Sequence, residues 1–462
     1  MIFSNIHFKR INIYIFESLL PRFGAFLFLP LLLRFVNPAI WAEIVLMISV
    51  SEILSKIYLF GFQSSIFRFA KDLDDNQKNF IIFKLLVRVF ISGTLFLVLF
   101  EIANPYFWNN VFEFEYGLPL RSAIFISCFS SVNLFFIQYI KSLQLSRKLF
   151  IGSLLYTLTN LFLQFSSIFY ISTNFGKSDR MIVTAYLVSL GIACLIRTLY
   201  YLRILNVRLI RQRLGINLNK FYNFARPAAG IAFIAIAVSH GSKLIIQSSI
   251  DLDTIGKYFS YLSYASIVFV LFAATQEYFS PTLYNIDTKK SIKFRVSTLY
   301  FWTFATVIYL LIFNKLSFLL IPNNYDISTT VYLLIFHVQI ASILRSIIGI
   351  YYEINELLKQ KFILVLISSI MFLLSLSSIG DIESYLRIFL IFYILLGNSL
   401  ILYSREFKLV LHFNFLHALI YFIFNTTNLL ATNWIAIIFM TFLLIAFGVK
   451  ILNNYQNLRS FT

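Results

Sequence analysis

Charge is scarce in this chain. Asp, Glu, Lys and Arg make up 13% of its 462 residues, against about 25% in soluble proteins. Cysteine is scarcer still: Cys128 and Cys194 both fall in apolar runs, so they read as small buried hydrophobes and exclude a disulfide framework. No cluster of His, Cys, Asp or Glu has metal-ligand spacing, no Gly-rich loop is laid out to cradle phosphates, and no nucleophile motif appears. Neither catalytic residues, nor a metal, nor a cofactor is therefore expected, and the chain does not read as an enzyme. The start of the chain also lacks a cleavable signal pattern, its first apolar run being too long with no small-residue cleavage site behind it.

What the chain has instead is apolar surface. Hydrophobic residues are 59% of the sequence and the mean hydropathy is +0.82, more than a soluble core of this length can hide, so lipid must be the solvent. Only helices and closed barrels satisfy their backbone there. The apolar runs are long and continuous, as in 362–376 and 435–449, and lack the short alternating segments of a barrel. An all-α integral membrane protein follows.

A span needs about 20 mostly apolar residues. That ruler places spans at 11–36, 39–63, 79–103, 118–140, 149–172 and 181–203, and after a polar stretch at 224–249, 257–280, 295–319, 328–352, 362–379 and 384–403. Two shorter runs, 411–431 and 434–452, close the chain. The formal net charge of +18 first raises nucleic acid as a partner. Its distribution explains it differently: Lys9, Arg10, Lys141, Arg147, Lys148, Lys289, Lys290, Lys359 and Lys361 fall on one side, as does the basic linker 203–220. The other side holds Asp251, Asp253, Asp326, Asp381 and Glu383. This is the positive-inside pattern, with both termini cytoplasmic and no nucleic acid needed. The external loops are too short for a folded domain, so any binding occurs within the membrane or at its edge. The aromatic loop 104–116 reads first as an interfacial belt, and the basic linker as a segment lying on anionic membrane lipids.

The most basic linker follows six spans, and the next six start from the same side, so the halves read as parallel repeats. The expected organisation is a six-helix lobe over 1–205, a cytoplasmic linker over 206–223, a second six-helix lobe over 224–403, and an additional helix pair with a tail over 404–462. A short turn holding an aromatic and a small residue precedes the second span of each half, at Pro38–Ala42 and at Asp253–Tyr258.

Charged residues inside the spans carry the chemistry. Each costs about 2.5–3.5 kcal/mol at a helix centre on insertion scales. The first span has Arg22 directly after Pro21; the second has Glu43, Glu52 and Lys56, the last two on one face. Arg88 lies in the third, His240 and Lys243 in the seventh, Glu277 in the eighth and Arg345 in the tenth. Glu52–Lys56 reads equally well as a self-neutralising ion pair, and His240 as a packing histidine. Arg22, Arg88, Lys243 and Arg345 have no carboxylate three or four residues away, so their counter-charges must come from another helix, a headgroup or a substrate. Cations dominate, which favours an anionic ligand held by charge-assisted hydrogen bonds. Glu43, Glu52, His240 and Glu277 are candidates for charge balance or for coupling to a proton or sodium ion. Pro21, Pro30, Pro227 and Gly230 can each disturb helical hydrogen bonding, either as harmless kinks or as hinges.

The stretch 35–72 carries Pro38, Trp41–Ala42, Gly61, Ser64–Ser65 and Arg68–Phe69. In this it resembles the opening hairpin of the polysaccharide-transporter branch of the multidrug/oligosaccharidyl-lipid/polysaccharide flippase superfamily, most of all the Wzx-type O-antigen flippases. Ile255–Gly256 and Tyr258 resemble the matching turn of the second half. The glycine usual after the aromatic is Ala42 here, and the family is credited with about twelve spans where this chain reads as having twelve to fourteen. The resemblance implies a MATE-like fold with a central cavity lined by the first, second, seventh and eighth spans, three of which hold Arg22, Lys56 and Lys243. It implies translocation of an undecaprenyl-diphosphate-linked oligosaccharide across the bacterial inner membrane by alternating access, with polysaccharide polymerase machinery as a downstream partner. A cation-coupled multidrug exporter of the same fold and a membrane polysaccharide polymerase are the alternatives.

Overall fold

A computed structural model describes residues 28–69, 73–103, 117–143, 145–174, 179–204, 219–283, 288–354, 358–376, 379–404 and 407–430, with 20, 21 and 24. Among these residues the regular structure is entirely helical. Among the described residues nine helices are long and apolar enough to cross a membrane, as expected of a chain whose backbone must satisfy itself without water. The expected span at 434–452 lies outside the described residues, as do 11–19 of the first and most of the linker 206–223. By its contacts the chain divides into two compact units, Met1–Gly256 and Lys257–Thr462.

The N-terminal unit follows residues 28–35, which are helical, with α1 (Pro38–Leu59), α2 (Phe62–Phe69), α3 (Asp75–Ala103), α4 (Gly117–Ser142), α5 (Ser146–Asn174), α6 (Asp179–Ile204), α7 (Asn219–Ile236) and α8 (Ser242–Ile246). The start of α1 is dictated locally. Pro38 stands in its first turn, where a missing N–H costs nothing, and the Asn37 side chain accepts a hydrogen bond from the Ile40 N–H at 2.8 Å. Its end is equally specific. Phe60 (φ 44°) and Gly61 (φ 78°) are left-handed, so the expected span 39–63 stops at Leu59 and resumes as α2. Gly61 is needed twice over: its backbone suits glycine, and a Cβ there would collide with the Ala225 carbonyl of α7. Around α1 the unit closes through α4, α6 and α7, with α5 against α6 and α2 against α4 and α7.

Between α7 and α8 the helix does not break but widens into a π turn, Ala237–Gly241. That turn and α8 pack on α1. A π turn holds one extra residue, which rotates everything beyond it by roughly 100° about the axis.

The C-terminal unit comprises α9 (Leu252–Leu283) from Lys257 onward, α10 (Thr288–Leu320), α11 (Thr329–Ile354), α12 (Leu358–Ser375), α13 (Ile382–Tyr403) and α14 (Phe407–Leu430). At its centre is the largely buried α11, packed against α10, α12, α13 and α14. Tyr261, Phe313, Tyr332 and Phe336 interlock across α9, α10 and α11 at ring separations of 5.2–6.3 Å. Large apolar side chains point outward elsewhere in both units, Phe90 at 75% and Leu411 at 73% exposure, as a lipid-facing surface requires.

Asp381 caps α13. Its carboxylate accepts from the Ser384 N–H at 2.8 Å and from the Ser384 hydroxyl at 2.7 Å, and these bonds hold it below the ordinary carboxylate value. A value depressed by folding contributes stability that is complete above the unfolded value of about 3.9 and is lost as pH falls through the folded value. Asp381→Ala is expected to cost about 1 kcal/mol at neutral pH, read as a lower Tm in detergent. The gap to wild type should shrink below about pH 4.

Candidate functional site

The second expected span and the seventh meet in the N-terminal unit and bring four of the anticipated residues together. Glu52 and Lys56 lie one turn apart on α1, and the π turn carrying His240 packs on that helix with Lys243 just beyond. The Glu52 charge acts on both Lys56 and Lys243, and those two ammonium groups act on His240. Lys56 also donates to the Gln63 side-chain carbonyl at 3.4 Å, across the Phe60–Gly61 turn. His240 has a buried Nδ1 with no hydrogen-bond partner among the described residues. Lys56 and Lys243 thus stand on two helices that pack together, with Glu52 one turn from Lys56 on α1. Glu43, one helix face away, is half-buried and not idle.

The N-terminal unit holds a further buried cation. Arg197 of α6 is 4% exposed. Its Nε donates to the Tyr201 hydroxyl at 3.0 Å and its Nη2 to Ser153 Oγ at 2.7 Å. Its guanidinium lies over the Tyr156 and Tyr201 rings. Tyr156 and Cys194 lie within electrostatic reach of both Glu52 and Arg197.

The other anticipated cations fare differently. Arg88 lies over the Phe60 ring at 4.6 Å and the Phe62 ring at 5.7 Å, so its counterpart is a pair of aromatic faces presented by the α1–α2 turn. Arg345, in the C-terminal unit, lies over Tyr393 at 5.6 Å and donates to Ser346 Oγ at 3.1 Å, with its Nε buried and unpartnered among the described residues. Arg22 lies outside the described residues, and so does the side chain of Glu277, whose backbone belongs to α9. Of the anticipated hinges, Pro21 and Pro30 are half-buried helical residues, and Pro227 and Gly230 lie within an unbroken α7. The departure from α geometry comes at Ala237–Gly241 instead.

One buried polar contact carried no sequence signal. His337 of α11 and His417 of α14 face each other with Nε2 and Nδ1 3.2 Å apart, though 80 residues separate them.

The fold and the intramembrane charges define a multi-pass helical membrane protein with a basic cluster buried in its N-terminal unit. Among solved structures, that fold is the one found in MATE transporters of the MOP superfamily. An inward-facing multidrug resistance MATE family transporter superposes with a TM-score of 0.59 at 11% identity, covering 87% of this chain and 98% of that one. A MATE in complex with MaD5 gives 0.60 at 10% identity, covering 87% and 94%. A MOP superfamily transporter from Pyrococcus furiosus Vc1 (DSM3638), described as having a binding pocket of reverse polarity that suggests a different function, gives 0.50 at 11% identity, covering 87% and 96%. No family model and no curated protein matches the sequence.

Proposed function

We propose that this protein is a flippase that moves a polyprenyl-diphosphate-linked oligosaccharide from the cytoplasmic to the periplasmic leaflet of a bacterial inner membrane by alternating access. The observation that carries this reading is the packing of the π turn and α8, which bear His240 and Lys243, on α1, which bears Glu52 and Lys56. Such a site prefers an anion, because two ammonium groups exceed the one carboxylate they share it with, and a diphosphate offers several acceptor oxygens to both. The fold supports the transport half of the reading. The Pyrococcus protein, whose binding pocket is described as of reverse polarity, supports the cargo half by example. Six-helix lobes at 1–205 and 224–403, a membrane-lying linker at 206–223 and an added pair over 404–462 complete the proposal, with the polysaccharide polymerase machinery receiving the product.

A second reading is favoured by Glu52 itself, a carboxylate that could hold a cationic drug as in a multidrug exporter. Gene deletion separates the two. The flippase reading expects lipid-linked repeat units to accumulate facing the cytoplasm, with no drug resistance conferred on a pump-deficient strain. Drug resistance without that accumulation would establish the exporter instead.

A further inference from the structure

The His337–His417 pair lies in the C-terminal unit, away from the basic cluster, and has no part in the reading above. Both rings are buried, at 4% and 6% exposure, and they stack with centroids 5.5 Å apart. Phe413 packs edge-on against His417 at 4.6 Å, and Leu409, Phe413, Leu416 and Ile420 make the surrounding face of α14 fully buried and apolar.

Two neutral imidazoles 3.2 Å apart can make one hydrogen bond, so one ring must donate and the other accept. The choice is constrained by His417, whose Nε2 is buried without a partner among the described residues. If His417 accepted at Nδ1, its own proton would sit on Nε2 as an orphaned buried donor. If it donates from Nδ1 to Nε2 of His337, only a lone pair at Nε2 goes unfilled, the less costly omission. That lone pair is a buried proton acceptor with no donor among the described residues. A proton taken there from water would make His417 an imidazolium, and its Nδ1–H bond to His337 would become charge-assisted. The apolar wall, however, would then enclose a charge it cannot solvate.

Titratable groups also stand on the helices around the pair. On α10 they are Tyr300 and Tyr309; on α11, Arg345, roughly two turns along. On α12 there is Lys361, which donates to the Gly349 carbonyl at 3.3 Å, and on α13 Tyr393, beneath Arg345. His417 acts electrostatically on His337. On α14 itself His412 is engaged by the Tyr300 hydroxyl at 3.0 Å.

We propose that His337 and His417 form a proton-binding site that controls the seating of α14 on α11. With both rings neutral the pair closes the helix contact. A bound proton favours the arrangement in which water reaches the rings, so α14 loosens as pH falls. The linkage is mass action: the hydrated arrangement binds the proton more tightly, and acid therefore populates it.

Backbone hydrogen exchange of the purified full chain in detergent tests this, with rates corrected for intrinsic pH dependence. Protection over 409–421 is expected to fall as pH is lowered from about 7.5 to about 5.5, by up to about tenfold per pH unit for a one-proton linkage. The double variant His337→Phe/His417→Phe, which keeps two stacked rings but no proton site, should hold its protection constant. It retains His412, so any residual slope reports that residue. Flat protection in the wild type, or an equal fall in the double variant, overturns the proposal. Should the double variant fail to fold, nitrogen NMR of the ring-labelled wild type decides. Imidazolium at either His337 or His417 accompanying the loss of protection supports the site, and neutral rings throughout overturn it. None of these readouts depends on cargo, so a failure of the flippase reading leaves the result intact.

Discussion

Lys243→Gln should cut flipping of a lipid-linked oligosaccharide in reconstituted vesicles by about ten- to a hundredfold. That is what losing one charge-assisted hydrogen bond of about 1.5–3 kcal/mol implies. Lys56→Gln should do the same, and Lys243→Arg should retain most activity because it keeps the charge. Membrane insertion should be unchanged in all three, since removing an intramembrane cation makes a span easier to insert. Glu52→Gln is the informative companion. Under the flippase reading it removes the charge that offsets Lys56 and Lys243, so anion binding should persist or tighten while thermal stability falls. A cation exporter would instead lose its ligand. Normal flipping by both lysine variants would remove the basis for an anionic cargo.

The second large effect concerns backbone approach. Gly256→Ala is expected to lower stability by about 3 kcal/mol or more, measured as Tm in detergent. A Cβ there would run into the carbonyl of Pro38. Backbone has no rotamer with which to give way, so the first turn of α9 would have to lift off the start of α1. Gly61→Ala should cost a comparable amount, because it meets the Ala225 carbonyl and also carries a positive φ. Gly241→Ala supplies the contrast. It lies in the π turn, where a Cβ would meet nothing nearer than Ala237 Cβ at 4.0 Å, and it should be close to neutral. If Gly256→Ala melts with the wild type, the contact between these turns is looser than described.

Much of this could be read from the amino-acid order. Hydropathy located the spans, because length and apolarity are local properties, and the Glu52–Lys56 relation follows from helical period alone. Lys243 was legible as a cation whose counter-charge must come from elsewhere and His240 as a packing histidine or charge-balancing group, but which groups they meet was not. The π turn that sets their phase leaves no compositional mark, since Ala237-Val-Ser-His-Gly241 would suit an ordinary helix. Arg88 found aromatic faces because Phe60 turns left-handed, a conformation no residue-type preference announces for phenylalanine. The two turns at Pro38–Ala42 and Asp253–Tyr258 were comparable as text, yet nothing in either showed that Gly256 lies against Pro38. His337 and His417 illustrate the general limit. Each is a lone histidine on an apolar helix, and only tertiary proximity makes them a pair.

The polar side chains of α14 have a bearing on how the chain is made. His412 is engaged with Tyr300 of α10, Asn414 exchanges two 3.0 Å amide hydrogen bonds with Asn398 of α13, and His417 meets His337 of α11. All three partners precede α14 in the sequence, so they emerge from the ribosome first. A segment carrying two histidines and three asparagines is a poor substrate for the translocon on its own. Waiting helices that already display matching groups make its entry favourable. Biogenesis of the C-terminal unit is thereby ordered, with α14 admitted to the bilayer as a late arrival whose lateral release depends on the helices already there.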